Sequence, residues 1–355
     1  MEKECYTEEF INNKQLNESE IANGAIVLNS LPRILMMVLT TRCNLECIMC
    51  SRGNPRRDLT ISSEKVKQIA TLFPYLEAID WQGGEVFLVD YFKDLFIEAS
   101  RFPNIDQSIV TNGLLIDEEW MDVLINSRVN LTFSIDSVEK KTYEYIRRGA
   151  RFEALLDNLE ALRVVNMKNN NSIQLHLNAV VMRSNYKKLN LFPGFCRDYG
   201  IKHLRFDFLR PDVAKDEDIL INPEPAAIEY LNNLLPKIED ECSKLGVWFE
   251  YTLRPFLANA GTLSGGPAVQ RRPVRCKLPW KKIFIDASGD GAARPDCLCE
   301  HSIGNINTDT IEKIWNSEVM QSYRQRLVQG NILDWCSKAC ISHAVDTYQL
   351  EGGNY

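Results

Sequence analysis

Residues Cys43-Asn44-Leu45-Glu46-Cys47-Ile48-Met49-Cys50 place three cysteines at spacings of four and three, after an apolar run from Ile34 to Leu39. The run is short and Thr40-Thr41-Arg42 ends it, which predicts a buried strand followed by a loop around a metal centre. Three thiolates are one fewer than an iron–sulfur cluster or structural zinc site normally takes, so one metal position stays open for a ligand. The alternatives are a zinc knuckle with a distant fourth ligand and buried structural thiols.

The composition limits the classes of function. The chain has 355 residues, of which 45% are hydrophobic, enough for one large domain or two. Its net charge is -7, and acidic and basic residues are interspersed, so the sequence does not have the basic pattern typical of nucleic-acid-binding proteins. No apolar run approaches the roughly 20 residues of a membrane span, and the N-terminus lacks a signal-peptide pattern, so we expect a cytoplasmic protein. In that compartment eleven cysteines indicate metal binding rather than disulfides.

Strand and helix patterns alternate through the first two thirds of the chain, which argues for parallel βαβ units. Six such units are fewer than the eight of a closed barrel, so the predicted fold class is α/β with an open, partial (β/α)6 TIM-like barrel. The segment from Val247 to Thr252 is a candidate seventh strand. The six predicted strands are Ile34 to Leu39, Ala78 to Trp81, Gln107 to Thr111, Val129 to Ile135, Ile173 to Val181 and His203 to Leu209.

Composition also divides the chain into predicted domains. Residues 1–33 are a polar N-terminal lead-in with weak helical periodicity around Ile21 to Leu28, and residues 34–254 form the barrel. Gly- and Pro-rich sequence predicts a linker at 255–275. A second, cysteine-rich unit occupies 276–355.

The C-terminal unit has its own motifs. Cys276-Lys-Leu-Pro-Trp280 precedes a predicted strand, Lys282 to Asp286, and Ser288-Gly289-Asp290-Gly291 predicts a hairpin turn. Further along come Cys297-Leu298-Cys299, Gly304-Asn305, a helix from Thr310 with Ile311, Ile314 and Trp315 on one face, and Cys336-Ser-Lys-Ala-Cys340. A four-cysteine zinc site is the alternative to an iron–sulfur site here.

The cysteine triad resembles the signature of the radical SAM superfamily, and the C-terminal unit resembles its SPASM/twitch extension. The resemblance covers residues 34 to 345 and implies the same partial barrel. It implies that Cys43, Cys47 and Cys50 hold a [4Fe–4S] cluster whose free iron chelates S-adenosylmethionine (SAM). It also implies one auxiliary [4Fe–4S] cluster, because the cysteines are too few for a second. Its best ligands are Cys276, Cys297, Cys336 and Cys340, with Cys299 a rival to Cys297.

Two further motifs match SAM-binding positions of the family. Gly83-Gly84-Glu85 follows the second strand, where glycines allow close backbone approach and a carboxylate can accept from an ammonium group. The resemblance places it on the amino group of SAM; the alternative is a plain strand-to-helix turn. The resemblance also places Ser134 and Arg147 on the ribose and carboxylate of SAM, with Arg148 a near rival to Arg147. An arginine suits this position because its guanidinium can donate two parallel hydrogen bonds to a carboxylate. A solvated basic helix end is the alternative. Ile48 lies either beside the adenine or in loop packing.

Polar side chains alternate with apolar ones along the fourth, fifth and sixth strands. Since neighbouring side chains on a strand point to opposite faces, and the apolar set must meet the helices, the polar set must face the barrel interior. Closed barrels fill that space with apolar residues, so a polar interior implies a solvated cavity with a polar ligand. His176, Asn178, Arg205 and Asp207 are candidates for SAM or the substrate. We expect Arg205 and Asp207 on the substrate side, unless they only pair with each other.

The resemblance implies a reaction type. A ferredoxin or flavodoxin supplies one electron, SAM is cleaved to methionine and a 5′-deoxyadenosyl radical, and the radical abstracts hydrogen from a carbon. The auxiliary cluster assists oxidation or binds substrate. We slightly favour a peptide or peptide-like natural product as substrate, with any leader-binding domain on a separate protein.

Two alternatives to peptide modification follow from the same residues. One is epimerisation or dehydrogenation of a small polar metabolite such as an aminosugar. Some relatives that invert stereocentres return a hydrogen atom from a cysteine, and Cys299 beside Cys297 is the candidate for that role. The alternative from a different class is a zinc-stabilised binding protein.

The auxiliary site gives the first prediction. Cys276→Ala or Cys340→Ala should lower the iron content by about half, because one of two four-iron clusters loses a ligand. Iron and sulfide analysis of anaerobically purified protein measures this. Unchanged iron with an unchanged visible spectrum would contradict the assignment.

Overall fold

The computed structural model describes residues 6–50, 58–209, 213–219, 225–251, 276–287, 291–294 and 302–331. Strands and helices alternate along these residues, as the sequence predicts. The strands are β1 (Ile34–Val38), β2 (Ala78–Gln82), β3 (Asp106–Thr111), β4 (Val129–Ser134), β5 (Ile173–Val181), β6 (His203–Phe208), β7 (Trp248–Tyr251), β8 (Lys282–Asp286), β9 (Ala292–Arg294) and β10 (Gly304–Asn305).

Helices cover the outer side of the strands or belong to the C-terminal unit. Several begin at a side-chain cap: Ser62 accepts from the Lys65 N–H and Thr310 from the Lys313 N–H. The helices are α1 (Glu8–Ala22), α2 (Ser63–Ala70), α3 (Phe92–Ser100), α4 (Glu118–Ile125), α5 (Lys140–Ile146), α6 (Phe152–Lys168), α7 (Phe192–Asp198), α8 (Pro225–Leu245), α9 (Leu278–Lys281), α10 (Ile311–Trp315) and α11 (Glu318–Val328).

The strands form one ten-stranded sheet in the order β10-β9-β8-β1-β2-β3-β4-β5-β6-β7. Strands β1 to β7 pair in parallel in sequence order, which confirms the partial barrel and the candidate seventh strand. Strand β8 of the C-terminal unit also pairs in parallel with β1, so the sheet continues beyond the six predicted strands. Strands β8, β9 and β10 pair antiparallel, as the hairpin prediction requires.

Each central strand has one buried face and one accessible face. Along β4 buried and half-buried residues alternate. Along β5 buried residues alternate with exposed or half-buried ones from the first residue to the last. The buried residues meet the helices: Phe206 of β6 packs edge-on against Phe192 of α7, with ring centroids 5.3 Å apart. The polar residues therefore line the inner face of the sheet, as the sequence predicts.

The N-terminal segment differs from its prediction. The weak periodicity around Ile21 to Leu28 is not a helix; helix α1 lies earlier, at Glu8–Ala22. Its inward face consists of Phe10, Asn13, Asn17 and Glu20, which is helical spacing built mostly from polar residues. A search for apolar periodicity cannot detect such a face. Two further elements are helix α5, which lies between β4 and α6, and a 3₁₀ turn at Tyr186–Leu191, which leads into α7.

A buried polar network joins the N-terminal segment to the C-terminal unit. Arg324 of α11 is 0% exposed. Its guanidinium donates to the carbonyl oxygens of Pro279, Ile26 and Trp315 and to Asn316 Oδ1, over 2.8 to 3.1 Å. It also lies 4.7 Å from the Trp315 ring centroid. These donors satisfy carbonyls that would otherwise be buried without partners.

Helix α1 contributes to the same network through Asn17. The Asn17 amide donates to the Trp280 carbonyl at 2.7 Å and to Ser30 Oγ at 2.9 Å. In turn, the indole N–H of Trp280 donates to the Ala25 carbonyl at 2.7 Å. The N-terminal segment, residues 6–33, therefore packs against the C-terminal unit. Among the described helices none combines the length and the apolar character that crossing a lipid bilayer requires.

Arg324 gives a stability prediction. Arg324→Ala should lower the free energy of unfolding by about 3 to 5 kcal/mol, because buried acceptors lose a charged donor. Gln325→Ala, on the exposed face of the same helix, should change it by less than about 0.5 kcal/mol. Urea unfolding of both variants measures the difference, and a similar effect for the two would contradict the network's role.

Candidate functional site

The predicted site residues gather at the carboxyl ends of the parallel strands. The cysteine loop, Cys43 to Cys50, follows β1, Gly83-Gly84-Glu85 directly follows β2, and Ser134 is the last residue of β4. Carboxyl ends of parallel strands meet at one edge of a barrel, where side chains from different strands can act together. The site is therefore built from segments that are distant in sequence.

Backbone hydrogen bonds fix the cysteine loop. The N–H of Glu46 donates to the Arg148 carbonyl and that of Ile48 to the Ile146 carbonyl, both over 2.9 Å. The loop thus lies against the end of α5. Gly149 has a φ of 89°, a conformation that favours glycine, and this turn leads the chain away from the loop. Within the loop, Leu45 is buried in the main core.

A buried ion pair lies beneath the loop. Arg147 Nη2 and Asp136 Oδ2 are 2.7 Å apart, and their side chains are 7% and 0% exposed. Arg147 Nη1 also lies 3.8 Å from Cys47 Sγ, within hydrogen-bonding distance for sulfur. Burial raises the pKa of the Cys47 thiol to about 11, although the Arg147 charge opposes that rise. The structure thus places Arg147 between Asp136 and Cys47, the second of the three cysteines in the loop.

Two buried polar atoms beside this ion pair lack a partner in the described part of the chain. They are Arg147 Nε and the Tyr143 hydroxyl, and burial raises the Tyr143 pKa to about 12. Buried donors are normally satisfied, so both atoms fit an acceptor supplied by a bound group. A carboxylate such as that of SAM has the matching chemistry.

Gly83-Gly84-Glu85 is joined to the residues just before the cysteine loop. The N–H of Gly84 donates to the Thr40 carbonyl at 2.6 Å, and that of Glu85 to the Arg42 carbonyl at 2.8 Å. A Cβ atom added at Gly83 would lie 2.9 Å from the Thr40 oxygen, so a side chain cannot fit there. The glycine is needed for this close approach.

The Glu85 carboxylate is 1% exposed and already has protein partners. It accepts from Thr111 Oγ1 at 2.9 Å and from the Asn112 N–H at 2.8 Å. Asn112 in turn donates to Asn44 Oδ1 at 2.8 Å and lies 3.9 Å from Cys43 Sγ. Glu85 therefore connects to the cysteine loop through Asn112, and its contact with the SAM amino group stays a prediction.

Asn112 and Asp136 were not assigned a role from the sequence. Asn112 directly follows β3 and precedes Gly113, whose φ is 78°. An Asn-Gly pair at the carboxyl end of a central strand was the available signal. Asp136 had a comparable signal, an acidic residue two positions beyond the end of β4.

Ile48 contacts a small apolar cluster apart from the main core. The cluster consists of Ile146, Met182 and Leu209, with Ile48 and Met49 against it. These residues come from the ends of α5, β5 and β6, so Ile48 lies over the strand ends. Both predictions for Ile48, adenine contact and loop packing, are compatible with this position.

The inner face of β5, β6 and β7 carries a cluster of titratable groups. Arg205 Nε lies 2.8 Å from Asp207 Oδ1, and Arg205 Nη1 lies 3.3 Å from Glu250 Oε1. The ring centroids of His176 and His203 are 4.9 Å apart. Burial, and then the nearby His203, lower the pKa of His176 to about 4, so this imidazole is neutral near pH 7.

This inner face remains partly open. The Arg205 and Asp207 side chains are 40% and 29% exposed, and neither packs under the helices. Arg205 and Asp207 pair, as their spacing suggested, but the pair lies on the accessible face. Ser134 and Asn178 are opposite each other on β4 and β5, next to Arg205 in the register.

The residues present fit the implied cofactors by their chemistry. Three thiols in one loop, with an arginine at one sulfur, suit a cluster with three protein ligands. In the described residues no three histidine, cysteine or carboxylate side chains already converge as a metal site. Cys276 is half-buried against the main core. The other predicted auxiliary residues, Cys297, Cys299, Cys336 and Cys340, lie outside the described residues.

Sequence comparison identifies two domains. The profile of the radical SAM superfamily matches residues 37–187, and that of the iron–sulfur cluster-binding SPASM domain matches residues 276–341. The antilisterial bacteriocin subtilosin biosynthesis protein AlbA of Bacillus subtilis is 23% identical over 301 residues, or 81% of this chain. The chain spans 60% of that relative's length. A GTP 3′,8-cyclase of Clostridium acetobutylicum is 24% identical over 50% of this chain and 56% of its own.

Solved structures share the fold. SuiB of Streptococcus suis, bound to the precursor peptide SuiA, superposes with a TM-score of 0.65 at 16% identity. The match covers 88% of this chain and 70% of SuiB. SuiB has also been solved with S-adenosylmethionine bound.

Burial of Glu85 gives a prediction about pH. Burial raises its pKa from 4.5 to about 7, so the folded chain holds a proton that the unfolded chain releases in this range. Stability should therefore fall as pH rises from 4.5 to 7, by about 3 kcal/mol in total. Glu85→Gln should remove that fall.

Urea unfolding between about pH 5 and about pH 8 measures the effect as the difference between wild type and variant. Glu153→Gln serves as the control, because that carboxylate is on the surface. A wild type and Glu85→Gln variant with the same pH dependence would contradict the assignment.

Proposed function

We propose that this chain, which has a radical SAM domain and a C-terminal SPASM domain, is a radical SAM enzyme that modifies a peptide or peptide-like natural product by hydrogen abstraction. The different-class alternative, a zinc-stabilised binding protein, is set aside by the domain matches. The reaction is expected to be an oxidation, assisted by an auxiliary cluster that also has substrate binding as a candidate role.

The likeness to peptide-linked proteins carries the proposal. AlbA is named for the biosynthesis of a bacteriocin, and its match extends over 81% of this chain. One GTP 3′,8-cyclase matches 50% of the chain and another, from Clostridium botulinum, matches 76%. SuiB, with a bound precursor peptide, has the same fold over 88% of the chain. The bacteriocin named for AlbA and the precursor peptide bound to SuiB favour a peptide over a nucleotide as substrate.

Different residues of the chain have separate proposed roles in binding the cluster and SAM. Cys43, Cys47 and Cys50 would hold the cluster that, with SAM bound, supplies the 5′-deoxyadenosyl radical. Arg147 and the Tyr143 hydroxyl offer donors to the SAM carboxylate, and Ile48 offers an apolar contact. Gly83, Gly84 and Glu85 fix the adjoining backbone, while Ser134, His176 and Asn178 are the candidates for the ribose and adenine.

The cluster of Arg205, Asp207 and Glu250 is the proposed substrate side. These residues lie on the same inner face as Ser134 and Asn178 but on later strands. A half-exposed set of charges can bind polar groups of a substrate without the full cost of a buried charge. They would fix the orientation of the substrate carbon relative to the radical.

Two partners belong to the proposal. A ferredoxin or flavodoxin would supply the electron, and a separate leader-binding protein would present the substrate if the enzyme needs one. The auxiliary cluster would be held by Cys276, Cys336, Cys340 and either Cys297 or Cys299. A role of Cys299 as hydrogen donor would replace oxidation by epimerisation.

A small polar metabolite is the second candidate substrate. The matches to GTP 3′,8-cyclases support it, because those proteins are named for a small-molecule reaction. The polar inner face suits such a ligand as well as a peptide. Substrate assays therefore need both classes.

The central experiment is anaerobic incubation with SAM, dithionite and candidate substrates, analysed by mass spectrometry. Precursor-like peptides should give 5′-deoxyadenosine and a peptide lighter by two hydrogens, whereas epimerisation in D2O would add one deuterium without oxidation. Turnover of a small metabolite with no change in any peptide would favour the second candidate. Absence of 5′-deoxyadenosine from a protein with both clusters would contradict the function.

Asp207 provides the residue-level prediction. Asp207→Asn should reduce product formation at least roughly tenfold, the effect of one lost charged hydrogen bond in the transition state. The fold and iron content should stay unchanged. Asp198→Asn is the matched control, since Asp198 pairs with Arg197 at 2.7 Å on the outer surface. Wild-type turnover by Asp207→Asn would remove this residue from the substrate side.

A further inference from the structure

The cysteine loop has a buried positive charge at one sulfur. Arg147 is 6% exposed, and Arg147 Nη1 lies 3.8 Å from Cys47 Sγ. The opposite side of the guanidinium faces Asp136, whose carboxylate is fully buried. The three groups thus form a row of thiol, guanidinium and carboxylate.

Asp136 is held more rigidly than an ion pair alone requires. Its Oδ1 accepts from the Val180 N–H at 2.8 Å. The Asn185 amide donates to the Asp136 carbonyl at 2.7 Å and to the Val180 carbonyl at 2.8 Å. The carboxylate therefore has one orientation, with its second oxygen towards Arg147.

We propose that the Asp136–Arg147 pair sets the reduction potential of the cluster bound by Cys43, Cys47 and Cys50. Arg147 acts on the Cys47 sulfur, and Asp136 is the positioning residue that aims and partly balances the guanidinium. The inference rests on the proposed function only in requiring that the triad holds a cluster.

The direction of the effect follows from charge. Reduction adds one electron, taken from a ferredoxin, a flavodoxin or dithionite, each oxidised by that electron. A nearby fixed cation stabilises the state with the extra negative charge, and low local dielectric strengthens the interaction. Arginine keeps its charge when buried. Arg147 therefore raises the potential, and Asp136 limits the rise.

This role differs from SAM binding by Arg147. A guanidinium that only bound the SAM carboxylate would affect SAM affinity and leave the potential of SAM-free enzyme unchanged. The contact between Arg147 Nη1 and Cys47 Sγ is made within the chain itself, so the proposed effect does not depend on a contact with SAM. The free Nε allows the same residue to bind SAM as well.

The test is a potentiometric titration of the anaerobic enzyme without SAM, followed by electron paramagnetic resonance of the reduced cluster. In Arg147→Gln the reduced-to-oxidised ratio at a fixed ambient potential should fall at least tenfold, a shift of about 59 mV for a one-electron couple. Arg147→Lys keeps a positive charge and should shift less. Asp136→Asn leaves the cation unbalanced and should shift the potential in the opposite direction.

Arg33→Gln is the matched control. Arg33 is also a buried arginine, paired with Glu77, but it lies just before β1, at the opposite end of that strand from the cysteine loop. Its loss should leave the potential unchanged. A shift of the same size in Arg33→Gln would show a general response to lost buried charge and would overturn the proposal.

Other outcomes are equally decisive. An unchanged potential in Arg147→Gln with full cluster content overturns the role of Arg147, and a downward shift in Asp136→Asn overturns that of Asp136. If Asp136→Asn binds no cluster, the potentials of Arg147→Gln and Arg147→Lys are compared instead. Equal shifts in these two variants would overturn the proposal, because only the lysine variant keeps the positive charge. A wild-type protein that binds no cluster at the triad contradicts the proposed function instead, so the two failures are distinguishable.

Discussion

The buried ion pair between Arg147 and Asp136 is the interaction on which the site depends. Burying two charges is costly unless each has further hydrogen bonds, and breaking such a pair leaves one charge uncompensated. Here the carboxylate is anchored to β5 and the guanidinium reaches the cysteine loop. A loop without regular secondary structure thereby acquires a fixed relation to the strand ends. The same arrangement brings a positive charge to the Cys47 sulfur, where burial raises the pKa of the thiol.

A second constraint comes from the sheet. Parallel strands under helices bury their apolar side chains on the outer face, as Phe206 and Phe192 show. In this chain the other face is polar on β4, β5 and β6, and it stays partly accessible. An open barrel can tolerate this, because its inner face does not have to fill a closed core. Fold and ligand site are therefore two consequences of one alternating sequence pattern.

Much of this could be predicted from the sequence, for local reasons. The bounds of β5 and the cap at Ser62 follow from alternation and capping chemistry, which are encoded in neighbouring residues. Helix α1 could not be recognised, since its buried face uses Asn13, Asn17 and Glu20 instead of apolar residues. The pairing of β8 with β1 and the contacts of Arg147 and Arg324 depend on residues far apart in the chain. Only the assembled structure relates them.

The position of β1 between β2 and β8 has a consequence for synthesis on the ribosome. One neighbour of β1 is β2, the next strand in the sequence, which begins at Ala78. The other neighbour is β8, and its first residue, Lys282, is 248 residues beyond Ile34. At typical translation rates the second neighbour emerges roughly 10 to 50 seconds later. Until then one edge of an apolar strand, Ile34–Val38, remains open to pairing with other chains. This topology therefore gives the nascent chain an open strand edge, a site prone to aggregation, until β8 has been synthesised.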